Sequence, residues 1–370
     1  FVEILNFRNM VKRKTIMLLV TYGCNLHCVY CYEPKQVQKQ MSFDMAKKTL
    51  LRQIQALGND YTEFDVQFMG GEPMMVFPLL QSISEWLWQQ HFNQKLRQIF
   101  AVTNGTLIDE TNIAWLEQNK DRFCLGLSFD GNRLMQDLNR SSSAARVNLD
   151  FFAKLWPNQT VKLTISPQTL STLSDGVKFL HEAGFSSITA DLAMGKHVTW
   201  DKEHLKVLNT QLHLLMEYYL ANPNLHPFSM LDICIDDVMM SNRLRQKNCS
   251  CGEDLVCIDC DGIEYACHLF SPVTISVEEA REVKAHVDFH DHASFISPTC
   301  KKCLLHSICT ICPGMNYICN HDISKQSTFT CQSFKVIFFA NCEYRLLLAE
   351  RDKNVAMRKR IEKIVKLIVK

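Results

Sequence analysis

The stretch Ile16-Met-Leu-Leu-Val-Thr-Tyr-Gly-Cys24-Asn-Leu-His-Cys28-Val-Tyr-Cys31 sets the reading of the whole chain. Its apolar run, Ile16 to Val20, is too short to span a membrane and leads straight into three cysteines rather than a cleavage site. It reads instead as a strand, with the cysteines on the loop that leaves its C-terminal end. Working outward, short apolar, β-branched runs alternate with longer amphipathic stretches as far as about Leu192, the signature of βα units on a parallel sheet. Strands are expected at Ile16–Thr21, Phe64–Met69, Ile99–Thr103, Cys124–Phe129, Val161–Ser166 and Ser187–Leu192. Helices are expected over Ser42–Leu57, Leu79–Gln90, Asp109–Gln118, Val147–Leu155 and Leu173–Ala183. Six strands favour an α/β fold of the partial (β/α)6 TIM-barrel type over the full eightfold form, and either form keeps its chemistry at the C-terminal ends of the strands.

An amphipathic stretch, Lys202–Leu220, is followed by a break at Asn222–Pro227, so domains are expected at 1–229, 230–340 and 341–370. The last is a helical tail in which Ile361, Ile364, Val365 and Ile368 recur at helical spacing among lysines and arginines. A basic amphipathic helix can lie on a membrane, but packing on the rest of the chain is the expected role. Lys plus Arg number 40 against 39 Asp plus Glu, so no charge excess draws the protein to nucleic acid or an anionic membrane. A cytoplasmic location is expected, with no membrane and no nucleic acid among its partners.

Seventeen cysteines in such a chain need a use other than disulfides, and metal ligation is the usual use of clustered thiols in a reducing compartment. Three fall between Cys24 and Cys31 and twelve between Cys249 and Cys342, while Cys124 and Cys234 stand alone and read as small buried apolar residues. Three thiolates can ligate three irons of a cubane and leave the fourth open to another ligand. Zinc is the competing reading. A structural zinc takes four protein ligands, however, and no fourth cysteine stands beside Cys24, Cys28 and Cys31, with His27 set between ligands.

Cys24-x3-Cys28-x2-Cys31, with the aromatic Tyr30 before the last cysteine, resembles the motif of the radical S-adenosylmethionine (SAM) superfamily. The resemblance implies a [4Fe–4S] cluster on these thiols whose open iron chelates the amino and carboxylate groups of SAM. Gly70-Gly71-Glu72-Pro73, after the second strand, looks like the family's GGEP turn, which receives the methionyl ammonium. Thr103-Asn104-Gly105 and Ser128-Phe129-Asp130-Gly131 are similar to family segments that contact the ribose and line the reaction chamber. Asp137-x-x-Arg140 matches a family motif whose Arg pairs with the SAM carboxylate, and Leu192 at the sixth strand end is expected against adenine. Taken singly, Arg140 would read as a surface residue.

Cys251-x5-Cys257-x9-Cys267, then Cys300-x2-Cys303-x5-Cys309-x2-Cys312 and Cys331, resembles the SPASM extension, which carries two auxiliary [4Fe–4S] clusters. By order, the resemblance implies that Cys251, Cys257, Cys267 and Cys312 hold one cluster and Cys300, Cys303, Cys309 and Cys331 the other, giving three clusters with the SAM-binding one. Gly262 fits the pattern as a hairpin turn. The Cys309–Cys312 spacing is one residue shorter than the common family pattern, and Cys249, Cys260 and Cys319 are near enough to replace a neighbour. Two zinc sites are the alternative, because paired C-x2-C units also form zinc knuckles.

In sulfatase maturases the residue after the third SPASM cysteine is an Asp that removes a substrate proton; here it is His268. His268 is a candidate catalytic base, since imidazole titrates near neutrality, or a hydrogen-bond donor beside a cluster sulfur. The family likeness implies an oxidoreductase acting on a ribosomally made precursor peptide to form a thioether, carbon–carbon or related crosslink. The alternative is oxidation of a sulfatase Cys or Ser to formylglycine, which the His268 substitution argues against. A catalytically silent metal-binding module is the reading from outside the enzymes. Expected partners are the peptide, a reductant such as flavodoxin or ferredoxin, and a discrete peptide-recognition protein, because only about fifteen residues precede the first strand.

Overall fold

The computed structural model describes residues 12–33, 38–239 and 249–369. Expectations that fall on residues 1–11, 34–37, 240–248 and 370 lie outside the described residues. The strands are β1 (Arg13–Thr21), β2 (Glu63–Gly70), β3 (Lys95–Thr103), β4 (Phe123–Leu127), β5 (Val161–Ile165), β6 (Ile188–Leu192), β7 (Leu255–Ile258) and β8 (Glu264–Tyr265). The helices are α1 (Phe43–Gln55), α2 (Phe77–Trp88), α3 (Glu110–Asn119), α4 (Arg133–Asn139), α5 (Leu149–Leu155), α6 (Leu173–Glu182), α7 (Lys202–Ala221), α8 (Val277–His286), α9 (Pro298–Lys301), α10 (Pro313–Asn320), α11 (Thr328–Arg351) and α12 (Val355–Val369). The chain divides into two compact units, one drawn from Phe1–Asn25, Glu33–Gly126 and Ser250–His290, the other from Leu26–Tyr32, Leu127–Cys249 and Asp291–Lys370.

The first unit is built on a sheet ordered β4-β3-β2-β1-β7-β8. β1 pairs parallel with β2, from Arg13 opposite Glu63 to Leu19 opposite Met69, and β2 pairs parallel with β3. Ile16, Leu18, Leu19 and Val20 are fully buried, as are Phe64, Val66 and Phe68, which is why β1 reads as a continuous apolar run rather than an alternating one. Ser42 caps α1 by accepting from the Met45 amide, and Asp109 with Asn112 closes a capping box on α3. The second edge of β1 is taken by β7, parallel, with Thr15 opposite Leu255 and Leu18 opposite Ile258. β7 then turns at Gly262, whose φ of +79° suits a tight turn, into antiparallel β8. A strand from the cysteine-rich stretch therefore completes the same sheet as the first strand, and the compact units do not follow the chain-order division at 229/230. An open strand edge is a template for pairing, and β7 satisfies it.

The second unit carries β5 and β6, paired parallel from Val161 opposite Ile188 to Ile165 opposite Leu192. Where the chain leaves β4, Ser128 bridges to Lys162 and the Phe129 amide donates to the Lys162 carbonyl at 2.9 Å. α4 was not anticipated from the sequence; Asn132 caps it by accepting from the Met135 amide, and it buries Met135, Gln136 and Asn139. α11 runs straight across the expected boundary at 340/341, its Asn341 side chain donating to the Met230 and Ile337 carbonyls at 2.7 and 2.8 Å. α12 packs as the apolar spacing implied: Ile361 and Ile364 are buried with Ile235, Val238, Leu305, Phe338 and Cys342, and Val365 and Ile368 lie against this cluster. Among the described residues no helix is long and apolar enough to cross a membrane.

Candidate active site and cysteine clusters

In the first unit the ends of β1, β2 and β3 are laced together by the residues that the sequence singled out. Gly70 has φ +146°, and a Cβ there would stand 2.0 Å from the Thr21 carbonyl oxygen. A Cβ on Gly71 would stand 2.3 Å from the Gly23 carbonyl oxygen and 2.9 Å from the Cys24 Cβ. Only glycine lets this turn come so close to the cysteine loop. The Gly71 amide donates to the Thr21 carbonyl at 3.1 Å and the Glu72 amide to the Gly23 carbonyl at 2.8 Å. Pro73 opens the short 3-10 helix Pro73–Val76 that Glu72 caps. The buried Glu72 carboxylate accepts from the Thr103 hydroxyl at 2.7 Å, the Asn104 amide at 2.7 Å and the Met74 amide at 3.0 Å. Asn104 in turn donates to the Asn25 side chain at 2.9 Å, next to Cys24.

The cysteine loop passes into the second unit between Asn25 and Leu26. There the Cys31 amide donates to the Cys28 carbonyl at 3.1 Å, which makes the two cysteines the ends of one turn. The His27 amide donates to Ser141 Oγ at 2.7 Å and the Val29 amide to the Asn139 carbonyl at 2.9 Å. Tyr30 donates its hydroxyl to Asp130, and the Arg140 guanidinium lies 5.6 Å from the Tyr30 ring centroid with its Nε 3.1 Å from Asp130 Oδ1. Tyr30, Asp130 and Arg140, expected as cofactor-binding residues, therefore meet. Burial pushes the Tyr30 phenol well above its usual range, opposed by Arg140 and aided by Asp130. Burial works against the charge on Arg140, but the Asp130 carboxylate outweighs it and keeps the guanidinium charged. Far from being a surface residue, Arg140 is 8% exposed. Ser128 is buried beside β5, and Leu192 closes β6 half-buried.

The cysteine-rich stretch sorts its thiols. In the second unit, burial pushes the Cys309 thiol up to about 12, with Cys331, Cys303 and Cys300 pushing the same way and a hydrogen bond from Gln326 opposing. Those four are the set expected to share one cluster. Cys312 is raised chiefly by burial, with Cys249 and Asp191 pushing the same way and hydrogen bonds from the Met315 and Gly314 amides opposing. Cys319 faces the Gly195 amide and Lys196 instead of that quartet. In the first unit, burial and then Cys267 and Asp259 raise Cys257, which brings two members of the other expected set together, while Cys251 is buried at its bridge to Leu255. Cys260 donates its thiol to the Leu19 carbonyl at 3.1 Å, and burial pushes it up to about 12. Of the lone cysteines, Cys124 is buried in β4 and Cys234 is exposed. His268 Nδ1 lies 3.8 Å from Cys267 Sγ, and its carbonyl accepts from Ser271 and Thr274. Among the described residues no group of three or more Cys, His, Asp or Glu side chains is arranged to hold a metal ion. The quartet shares an electrostatic neighbourhood rather than a single-ion coordination sphere, and an all-thiol donor set of this kind is the one that iron–sulfur clusters take.

Sequence reasoning missed Asn139, Gln136 and Thr164, which hydrogen-bond Asp130, and Thr169 behind Asn139. No motif marks them; their signal is their hydrogen-bond partners, which only the fold supplies.

A parallel sheet with a glycine turn against a three-cysteine loop defines a radical SAM enzyme. The chain belongs to the radical SAM superfamily, whose family model matches residues 18–208, a little over half of the 370 residues. It is 22% identical over 354 residues to a cysteine-type anaerobic sulfatase-maturating enzyme of Clostridium perfringens, covering 85% of this chain and 92% of that one. An uncharacterized protein of Methanocaldococcus jannaschii, MJ0907, is 29% identical over 201 residues, a match spanning 53% of this chain and 66% of its relative. Among solved structures, native anSMEcpe with bound AdoMet and Cp18Cys peptide superposes with a TM-score of 0.65 at 20% identity, covering 92% of this chain and all of the other. Streptococcus suis SuiB bound to precursor peptide SuiA gives a TM-score of 0.57 at 16% identity, covering 87% and 76%. At these identities the structural likeness fixes the fold.

Proposed function

We propose that the chain is a peptide maturase that reductively cleaves SAM and takes hydrogen from a ribosomally made precursor peptide, closing a thioether, carbon–carbon or related crosslink. A [4Fe–4S] cluster on Cys24, Cys28 and Cys31 would supply the electron that breaks the C–S bond of SAM and frees the 5′-deoxyadenosyl group to abstract hydrogen. The chain's own share is to bind and orient. Gly70, Gly71, Glu72 and Pro73 would receive the methionyl ammonium, Asn104 and Ser128 the ribose, Arg140 the carboxylate and Leu192 the adenine, with Tyr30 and Asp130 beside them. Two auxiliary clusters, on Cys251, Cys257, Cys267 and Cys312 and on Cys300, Cys303, Cys309 and Cys331, would accept an electron from the peptide or hold it. Functionally the chain then divides as 1–229, 230–340 and 341–370.

The observation that carries this reading is that Cys300, Cys303 and Cys331 all lie near enough to Cys309 to bear on its thiol, beyond the part of the chain that the family model covers. A radical SAM fold needs only its first cluster; a further thiol quartet supports a chain built to pass electrons from substrate. The peptides bound to the two structural relatives, Cp18Cys and SuiA, support a peptide as that substrate. Incubation of the anaerobically reconstituted protein with SAM, a reductant of the flavodoxin or ferredoxin type and the candidate precursor tests it. Deoxyadenosine together with a peptide lighter by about two hydrogens is expected, and SAM cleavage with the peptide unchanged would sink the assignment. Any separate peptide-recognition protein would show as a requirement of that assay.

The likeness to the sulfatase-maturating enzyme over most of both chains favours one second reading, oxidation of a Cys or Ser to formylglycine. A sulfatase-derived peptide in the same assay distinguishes it. His268 beside Cys267 suits a donor to a ligand sulfur better than a base reaching for substrate.

A further inference from the structure

Asp130 is fully buried, and its carboxylate takes three hydrogen bonds and one ion-pair contact from this chain. Oδ2 accepts from the Tyr30 hydroxyl and from Asn139 Nδ2 at 3.1 Å. Oδ1 accepts from the Thr164 amide at 3.0 Å and lies 3.1 Å from Arg140 Nε. Two oxygens offer about four lone-pair positions, three of them hydrogen-bonded and the fourth faced by the Arg140 Nε, so a ligand hydroxyl or ammonium reaching Asp130 would have to push aside a buried protein group. We propose that Asp130 is a positioning residue, which binds no atom of SAM and instead joins the Cys28–Cys31 loop to the Arg140 guanidinium as one rigid piece. This rests on the reading of the site as a SAM site.

The surroundings make Asp130 a fixed point. Gln136 Oε1 accepts from the Asp130 amide at 2.8 Å, and Gln136 Nε2 donates to Ser143 at 2.8 Å. Asn139 is held by Ser166, whose hydroxyl donates to it at 2.7 Å, and by the Thr164 carbonyl at 3.2 Å. Gln136, Asn139, Ser143 and Ser166 are all buried. α4 through Asn139 and β5 through the Thr164 amide thereby hold one carboxylate against Tyr30 and Arg140. The grip on Arg140 is partial: its buried Nε pairs with Asp130 by distance without hydrogen-bond geometry. Asp130 is the one carboxylate paired with Arg140 among the described residues. The guanidinium is therefore oriented by Asp130 without being used up as a bidentate pair would use it. Behind Arg140 the chain turns through Ser141 and Ser142, both left-handed at φ 55° and 49°, and Ser141 Oγ accepts the His27 amide. Asp137 holds that turn by accepting from the Ser142 and Ala144 amides at 3.1 and 2.8 Å. The loop is thus tied to this framework at His27, Val29 and Tyr30, and strained backbone of this kind persists only where its surroundings demand it.

The test uses Asp130→Asn, with Tyr30→Phe as a milder change that removes only the phenol hydroxyl. Hydrogen exchange of the full chain, read on the peptide covering residues 26–33, should speed up at least about tenfold in both variants while β1 and β2 keep their protection. SAM binding by the reconstituted protein should weaken at least about tenfold in Asp130→Asn, but less than about twofold when the same change is made in Arg140→Gln, because Asp130 acts through Arg140. Unchanged exchange at 26–33 overturns the inference, and so do losses of SAM affinity that multiply in the double variant, which would mean that Asp130 touches SAM itself. Wild-type protein that neither binds nor cleaves SAM would refute the functional reading, and the exchange result then decides alone whether Asp130 ties loop to guanidinium.

Discussion

Gly71 shows at the smallest scale how this chain builds a site from what it omits. With the Gly23 carbonyl 2.3 Å and the Cys24 Cβ 2.9 Å from where a side chain would begin, even a methyl group must push the cysteine loop away. Gly71→Ala is therefore expected to cost about 1–3 kcal/mol of stability and to lower deoxyadenosine formation by at least about tenfold. Thermal unfolding and product counting measure the two, and a variant with wild-type turnover would remove the turn from the site. This residue was legible in the sequence because a motif spaced along one segment reports local geometry. Asn139 and Gln136 were not, since a buried polar residue looks like any other until the donors around it are known. Arg140 lay between: its motif was readable, but a lone arginine reads as surface, and only the Asp130 carboxylate explains its burial.

At the scale of elements, the six expected strands of the α/β repeat are all present within a few residues, because each is a run of apolar or β-branched residues closed by a turn. The turn at Gly262 was expected, but the pairing of β7 with β1 was not, for the converse reason. Four residues with a partner some 240 positions earlier carry no local signal that they will pair. α11 runs through the expected boundary at 340/341, because the last of the expected cluster ligands, Cys331, lies in its first turn and the helix continues well past it. α6 and α7 carry a titration that can be followed. His181 bonds the Phe185 carbonyl at 3.0 Å and the Tyr219 hydroxyl at 2.9 Å, and burial lowers its pKa below the ordinary value, against the pull of that carbonyl. The folded chain binds a proton there less readily than the unfolded one. Its contribution to stability is thus complete above about pH 6.5 and falls away as pH drops below that. The unfolding midpoint should decline between about pH 7.5 and pH 5.5, and His181→Gln should flatten the decline. An equal slope in the variant would place the responsible proton elsewhere.

For the whole molecule, the cysteines divide by what surrounds them. Cys309 sits among other thiols, whereas Cys260 is committed to the Leu19 carbonyl and Cys319 to the Gly195 amide. Three cubanes correspond to about twelve irons per chain; Cys309→Ala should bring the count to about eight and leave SAM cleavage in place, while Cys260→Ser and Cys319→Ala should keep about twelve. Iron and sulfide analysis after anaerobic reconstitution reads this directly, and loss of iron in Cys260→Ser would redraw the ligand sets. The most direct test of the account is product formation by the reduced, reconstituted wild-type chain given SAM alone. The account predicts 5′-deoxyadenosine and methionine in equal amounts, abolished in Cys28→Ala; a fully iron-loaded protein that leaves SAM intact under strong reductant would contradict it.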